Sequence, residues 1–314
     1  MTDTAKSNAL HFGLLAALAI GFFILPTYHS GNLARIMILA IYAMGYNVLF
    51  GYTGLLSLGH ALFFSAGMYG LGLTMHLGGW SPAPAFLAAL IASSIVATVI
   101  GFLVLRTTGV AYMIVTLMFA QAGYLTILYF GTYTRGDEGF ALKQATRQLI
   151  GLDLTDPIVR YYTALILFAT ALLLLAYIIR SPFGRTLIAI RENEERARML
   201  GYNVTAIKLK AVILSGIISG ASGAAYALLF GYAGATFATV QYSILPLLWV
   251  LVGGAGTTTG AFIGVLFMTY LIDYASGQTN AYLIVVGVVL VAVTLFLPHG
   301  IMGTLRNKYA GWLP

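Results

Sequence analysis

The chain contains no cysteine. Disulfides, thiolate metal sites and thiol nucleophiles are therefore excluded, and cysteine usage marks no redox compartment. Charge is scarce too. Only 8% of the 314 residues are Asp, Glu, Lys or Arg, where a soluble domain carries about a quarter, so a soluble domain is excluded. The charges are also segregated. None lies between Arg35 and Arg106, from Ala211 to Ile272, or from Tyr274 to Leu305. No Gly-Lys dipeptide occurs, so there is no P-loop and any ATP hydrolysis must come from another chain. His60 has no second His, Asp or Glu at ligand spacing, so no metal site is expected. His11, His29, His76 and His299 fall near expected span ends, an ordinary interfacial placement. The run Gly254 to Gly260 resembles a dinucleotide fingerprint with one extra residue, but it lacks the strand-turn-helix context. It reads instead as a tight turn between two short apolar spans.

What remains is 60% hydrophobic, with 36 glycines. A bilayer-crossing helix needs about 20 apolar residues, so each uncharged block holds more than one span. Barrel strands would alternate polar and apolar residues over about 10 positions. Ala164 to Ile179 and Leu283 to Leu297 do not alternate. The fold class expected is an all-α membrane protein of about ten transmembrane helices, forming one transmembrane domain over residues 1–314. Spans are expected near 9–26, 33–50, 60–78, 83–105, 109–130, 161–179, 209–231, 240–253, 260–274 and 281–297, with the eighth and ninth short. The first, after Lys6, reads as an uncleaved helix rather than a signal peptide. With both termini cytoplasmic, 11 Lys and Arg fall inside and 5 outside, the sense of the positive-inside rule. The net charge of +7 then reflects orientation rather than nucleic acid. Small-x-x-x-small runs such as Gly216 to Gly220, Ser219 to Gly223 and Gly260 to Gly264 point to close helix crossings.

Two polar segments interrupt the apolar blocks. Residues 131–160 form an outer loop of mixed charge. Residues 180–208 form a cytoplasmic segment read as one helix, with Ser181 as N-cap, Pro182 at the first position and Gly201 as the stop. Glu192 with Arg196, and Glu194 with Arg198, are i,i+4 pairs in the favourable order. Most such charge runs are simply solvated. This one is the sizeable cytoplasmic feature of the chain, which makes it a candidate for docking an energy-supplying partner. Gly51 to His60 breaks two spans with small and polar residues, and such backbone at membrane depth must be buried or line a cavity. Asn47, Ser57, His60 and Gln121 are candidates for a translocation path; the alternative is a helix junction whose polar groups cap backbone ends. Asp273 sits near the outer end of its span.

Three stretches carry a resemblance: YNVLFGYTGLLSLGHALFFSAGMY from Tyr46 to Tyr69, SPFGRTLIAIRENEERARMLGYNVTAIKLKAVILS from Ser181 to Ser215, and GGAGTTTGAFIG from Gly253 to Gly264, with LPHGIMG following. Together they resemble the branched-chain amino acid ABC importer permeases, more the M-type than the H-type subunit. The resemblance implies a coupling helix set in a cleft of an ATPase, with Gly184, Arg185, Ile190, Arg191, Glu192 and Gly201 matching the family pattern. It also implies a second permease of H-type, two ATPases that carry ATP and magnesium, a periplasmic solute-binding protein and a bacterial inner membrane location. The chain itself is expected to bind no cofactor. Arg135, Asp137, Lys143 and Arg147 are candidates for docking the binding protein. Where the family commonly has a glycine pair, this chain has Arg135 followed by Gly136, so its solute need not be leucine, isoleucine or valine. Urea, amides, other amino acids and aromatic acids are alternatives. A secondary transporter driven by an ion gradient would need titratable groups at mid-membrane, and a lipid-acting enzyme would need a catalytic cluster. Apart from Asp273 the expected spans hold no acid, and no catalytic cluster is visible.

Overall fold

The computed structural model describes residues 3–149 and 151–308. Its helices are α1 (Asp3–Ile24), α2 (Thr27–Asn47), α3 (His60–His76), α4 (Pro82–Val104), α5 (Gly109–Tyr129), α6 (Gly131–Thr134), α7 (Pro157–Arg180), α8 (Pro182–Glu192), α9 (Glu194–Met199), α10 (Val204–Phe230), α11 (Val240–Gly253), α12 (Gly260–Gln278), α13 (Tyr282–Phe296) and α14 (Gly300–Lys308). The strands are two residues each: β1 (Phe140–Ala141) pairs antiparallel with β4 (Tyr232–Ala233), and β2 (Gln148–Leu149) with β3 (Leu152–Asp153). The chain is an all-α membrane protein. Eight helical segments are long and apolar enough to cross a bilayer. The other two spans expected from the sequence correspond to α3, of 17 residues, and α11, of 14.

The centre is α2 and α10. From Leu33 to Asn47 every residue of α2 except Arg35 is buried. It packs against α7, α10, α11 and α12, while α10 also packs against α3 and α4. Burial on all sides explains why α2 shows no polar stripe. The small-residue runs are the crossing points. A Cβ on Gly223 of α10 would lie 1.9 Å from the Phe64 carbonyl oxygen of α3. These backbones touch, and only glycine permits it. At the other extreme, Val286 is the one buried residue that α13 contributes among the described residues.

Three expectations change. The span near 260–274 extends to Gln278 and has 19 residues, so it is not short. The span near 33–50 begins at Thr27, so Arg35 lies well inside α2 rather than near its start, and its guanidinium lies 5.7 Å from the centre of the Phe230 ring. The cytoplasmic segment is two helices, α8 and α9. Asn193 between them is extended (φ −158°), and its side chain accepts from Arg196 N. An Asn that bonds its own downstream backbone starts a new helix rather than continuing the old one.

Candidate coupling segment and helix breaks

α8 starts as its sequence dictates. The Ser181 hydroxyl accepts from Gly184 N at 3.4 Å, and Pro182 follows at the first position. Gly184 lets the chain fold back on α7, since a Cβ there would sit 2.3 Å from the Ile179 carbonyl oxygen. Gly201 ends the segment at φ +86°. Ile190 is buried with Ala197 and Val204, which pins α8 and α9 to the start of α10. Glu194 bonds Arg198 and Lys208, each at 2.6 Å. Glu192 forms no ion pair among the described residues; the break at Asn193 removes the helical register that would pair it with Arg196. Arg185 and Glu192 are exposed, as are Met199, Leu200 and Tyr202 beyond them.

Arg191 does something the sequence did not suggest. Its guanidinium turns inward and donates to the Gly51 carbonyl oxygen. Gly51 lies in a π-helical turn, Val48–Tyr52, that closes α2. The Arg191 side chain also packs on Gly54, and its guanidinium comes within 2.9 Å of where a Cβ of Gly256 would be. One side chain thus links α8 to both breaks in the bundle, residues 51–59 and 254–259.

The first break is non-helical backbone over residues 54–59, with Gly54 at φ +76° and Ser57 and Gly59 buried. It ends at His60, which lies beside Ser215, midway along α10 (Nε2 to Oγ, 2.8 Å). Serines and threonines satisfy its amides: Leu58 N donates to Thr116 Oγ1 at 3.1 Å, Gly59 N to Ser57 Oγ at 3.2 Å, and Ala61 N to Ser243 Oγ at 2.9 Å. Buried amides demand such partners. The second break is a turn with Gly254 at φ +116° and Gly256 at φ +75°, which is the tight turn expected. Asn47 ties the two breaks together: its Nδ2 donates to Thr257 O and its Oδ1 accepts from Gly256 N, both at 2.9 Å.

The path candidates therefore separate. Asn47 and His60 are fully buried, Ser57 is buried, and all three bond within the chain. None of them faces an open surface in this conformation. Gln121 is exposed on α5, whose buried residues are Tyr112, Thr116 and Ala120. The signal for an internal role was present in the sequence as the density of Ser, Thr and Gly between 51 and 60.

At the opposite end of the bundle, Arg135, Asp137 and Lys143 are exposed. Arg135 has φ +61° and is the one non-glycine residue in the left-handed region among those described. Arg147 corrects the docking expectation. It is 8% exposed, and its guanidinium donates to Leu228 O at 2.8 Å and Leu229 O at 2.6 Å. It caps the C-terminus of α10, where unpaired carbonyls and the helix dipole favour a cation. Burial, and then the Arg160 guanidinium, push its pKa below the ordinary arginine value. Asp273 accepts from the Tyr28 hydroxyl at 2.6 Å in an exposed setting, joining the end of α12 to the start of α2.

Comparison with known proteins places this architecture. Residues 29–294 match the family described as branched-chain amino acid transport system / permease component. The high-affinity branched-chain amino acid transport system permease protein LivM of Salmonella typhimurium is 27% identical over 332 residues, covering 98% of this chain and 77% of that protein. LivM of Escherichia coli K12 is 27% identical, with the same coverage. A shorter match, 31% over 98 residues, is to the autoinducer 2 import system permease protein LsrC of Klebsiella pneumoniae, covering 29% of this chain and 28% of that one. No solved structure matches the chain. The chain is a multi-pass membrane protein and a transporter subunit rather than an enzyme, and it belongs to the family of branched-chain amino acid transport system permease components.

Proposed function

We propose that this chain is the M-type permease subunit of a binding-protein-dependent ABC importer in a bacterial inner membrane. Its cargo is a branched-chain amino acid or a related small polar solute. It crosses the membrane ten times with both termini cytoplasmic. The observation that carries the reading is the pair α8–α9. It is a capped, charged segment with exposed Arg185 and Glu192, and Arg191 links it to both helix breaks. Force applied to α8 from outside passes through Arg191 to Gly51 and Gly256. Two ATPase subunits, holding ATP and magnesium, supply that force at residues 182–200. A second permease, of H-type, completes the pore. A periplasmic binding protein delivers the solute to the exposed part of the 131–160 loop at Arg135, Asp137 and Lys143.

An ion-gradient-driven transporter is disfavoured by side-chain placement. Proton-coupled transport uses titratable acids at membrane depth, and no Asp or Glu is buried among the described residues. The test is a mild-detergent pull-down of the tagged chain followed by mass spectrometry. Recovery of P-loop ATPases and a second permease is the expected outcome. Recovery of the chain alone, or as a self-oligomer, in several detergents would overturn the reading.

A further inference from the structure

A cavity of about 740 Å³ opens where α7 ends, α8 runs past and α14 begins. Three arginines line it, Arg180, Arg191 and Arg306, against one acid, Glu192. Among the described residues none of the three guanidiniums is paired with a carboxylate. Arg180 donates to Asn8 Oδ1 and Ser7 Oγ, both at 2.7 Å; Arg191 donates to Gly51 O; Arg306 donates to Gly256 O at 3.4 Å. Each guanidinium has five N–H donors, so most of them are unspent. Arg180 and Arg306 are half-buried. Tyr52 lines the same cavity, is 2% exposed, and its hydroxyl has no partner among the described residues. The remaining wall includes apolar Phe50, Ile188 and Leu251.

Arg191 is exposed overall, and three cations lining one cavity, two of them half-buried, repel one another unless an anion joins them. Planar guanidiniums match the oxygens of phosphate in particular. Basic pockets between helices at the cytoplasmic side of a membrane take phospholipid headgroups for this reason. We propose that this cavity binds a phosphate-bearing anion, with Arg180, Arg191 and Arg306 as its cationic ligands and the Tyr52 hydroxyl as a neutral donor. The three arginines come from α7, α8 and α14, and two of them also hold the breaks at Gly51 and Gly256. The bound anion therefore clamps α8 to α7 and α14. This site is independent of how transport is driven, so it stands or falls apart from the importer reading.

Two sources present that chemistry, an anionic lipid headgroup and a soluble phosphate. The full chain, purified in dodecyl maltoside, is titrated separately with phosphatidylglycerol, phosphatidylcholine and inorganic phosphate. Retention is read by native mass spectrometry, and protection of residues 251–257 and 300–307 by hydrogen exchange. Saturable retention of phosphatidylglycerol over phosphatidylcholine, with protection, supports a lipid-filled site. Protection by inorganic phosphate without lipid retention supports a soluble phosphate. In either case Arg180→Gln with Arg306→Gln weakens retention by about tenfold or more. Arg106→Gln, on a basic residue outside the cavity whose guanidinium lies over the Phe102 ring, leaves it unchanged. Equal retention of both lipids, an undiminished double variant, or no protection by any of the three probes overturns the proposal.

Discussion

Arg147 lies in a loop that reads as solvated, yet its guanidinium is spent on the last carbonyls of α10. Replacing it with methionine keeps the apolar stem and removes both bonds, leaving buried carbonyls without a donor. Arg147→Met is expected to cost about 2 kcal/mol, read as a lowered thermal midpoint of the detergent-purified chain; an unchanged midpoint would sink the capping role. Arg135 presents the converse. A side chain in the left-handed region costs about 1 kcal/mol, so Arg135→Gly should raise the midpoint, and Arg135→Val should lower it. Both effects are conformational and should persist in high salt, where surface ion pairs are screened.

At the scale of elements, caps and crossings carry the architecture. Asn193 starts α9 with its side chain, and Asn193→Ala should cost about 1 kcal/mol. Hydrogen exchange should speed up at residues 194–199 and stay unchanged in α10; uniform exchange across the chain would mean the cap is not local. The α3–α10 crossing is less forgiving. Gly223→Leu drives a side chain into the Phe64 carbonyl and should cost about 3 kcal/mol or abolish the folded, monodisperse protein. Gly277, whose Cβ would meet nothing within 4 Å, is the matched control: Gly277→Ala should stay within about 0.5 kcal/mol. Caps and close crossings of this kind are legible in sequence because their residue types are constrained by backbone geometry alone. The division of 180–208 into two helices was not legible. Asparagine is only mildly unfavourable within a helix and favoured at a start, and the Glu192–Arg196 spacing across it pointed to a continuous helix.

For the whole molecule, the linkage from α8 through Arg191 to both breaks defines the working hypothesis. On the proposed importer reading, replacing Arg191 and Glu192 together should leave the chain inserted in the membrane. Solute uptake in proteoliposomes should fall by about tenfold or more while ATP is still hydrolysed, since a lost mechanical link removes coupling rather than chemistry. Uptake at the original rate would remove α8 from the coupling path.

Hydropathy by itself determined that the chain is an all-α membrane protein, because unpaired backbone in lipid leaves each long apolar run no alternative to helix. Motif spelling fixed the family resemblance, and the cap residues located the segment from Ser181 to Gly201. The roles of the polar residues were decided by tertiary structure alone. Asn47 meets its partner 210 residues away and Arg147 meets its own 81 residues away. No local pattern encodes such pairs. A polar side chain that lines a path and one that repairs a broken helix look the same in sequence, and only the neighbour brought to it by folding tells them apart.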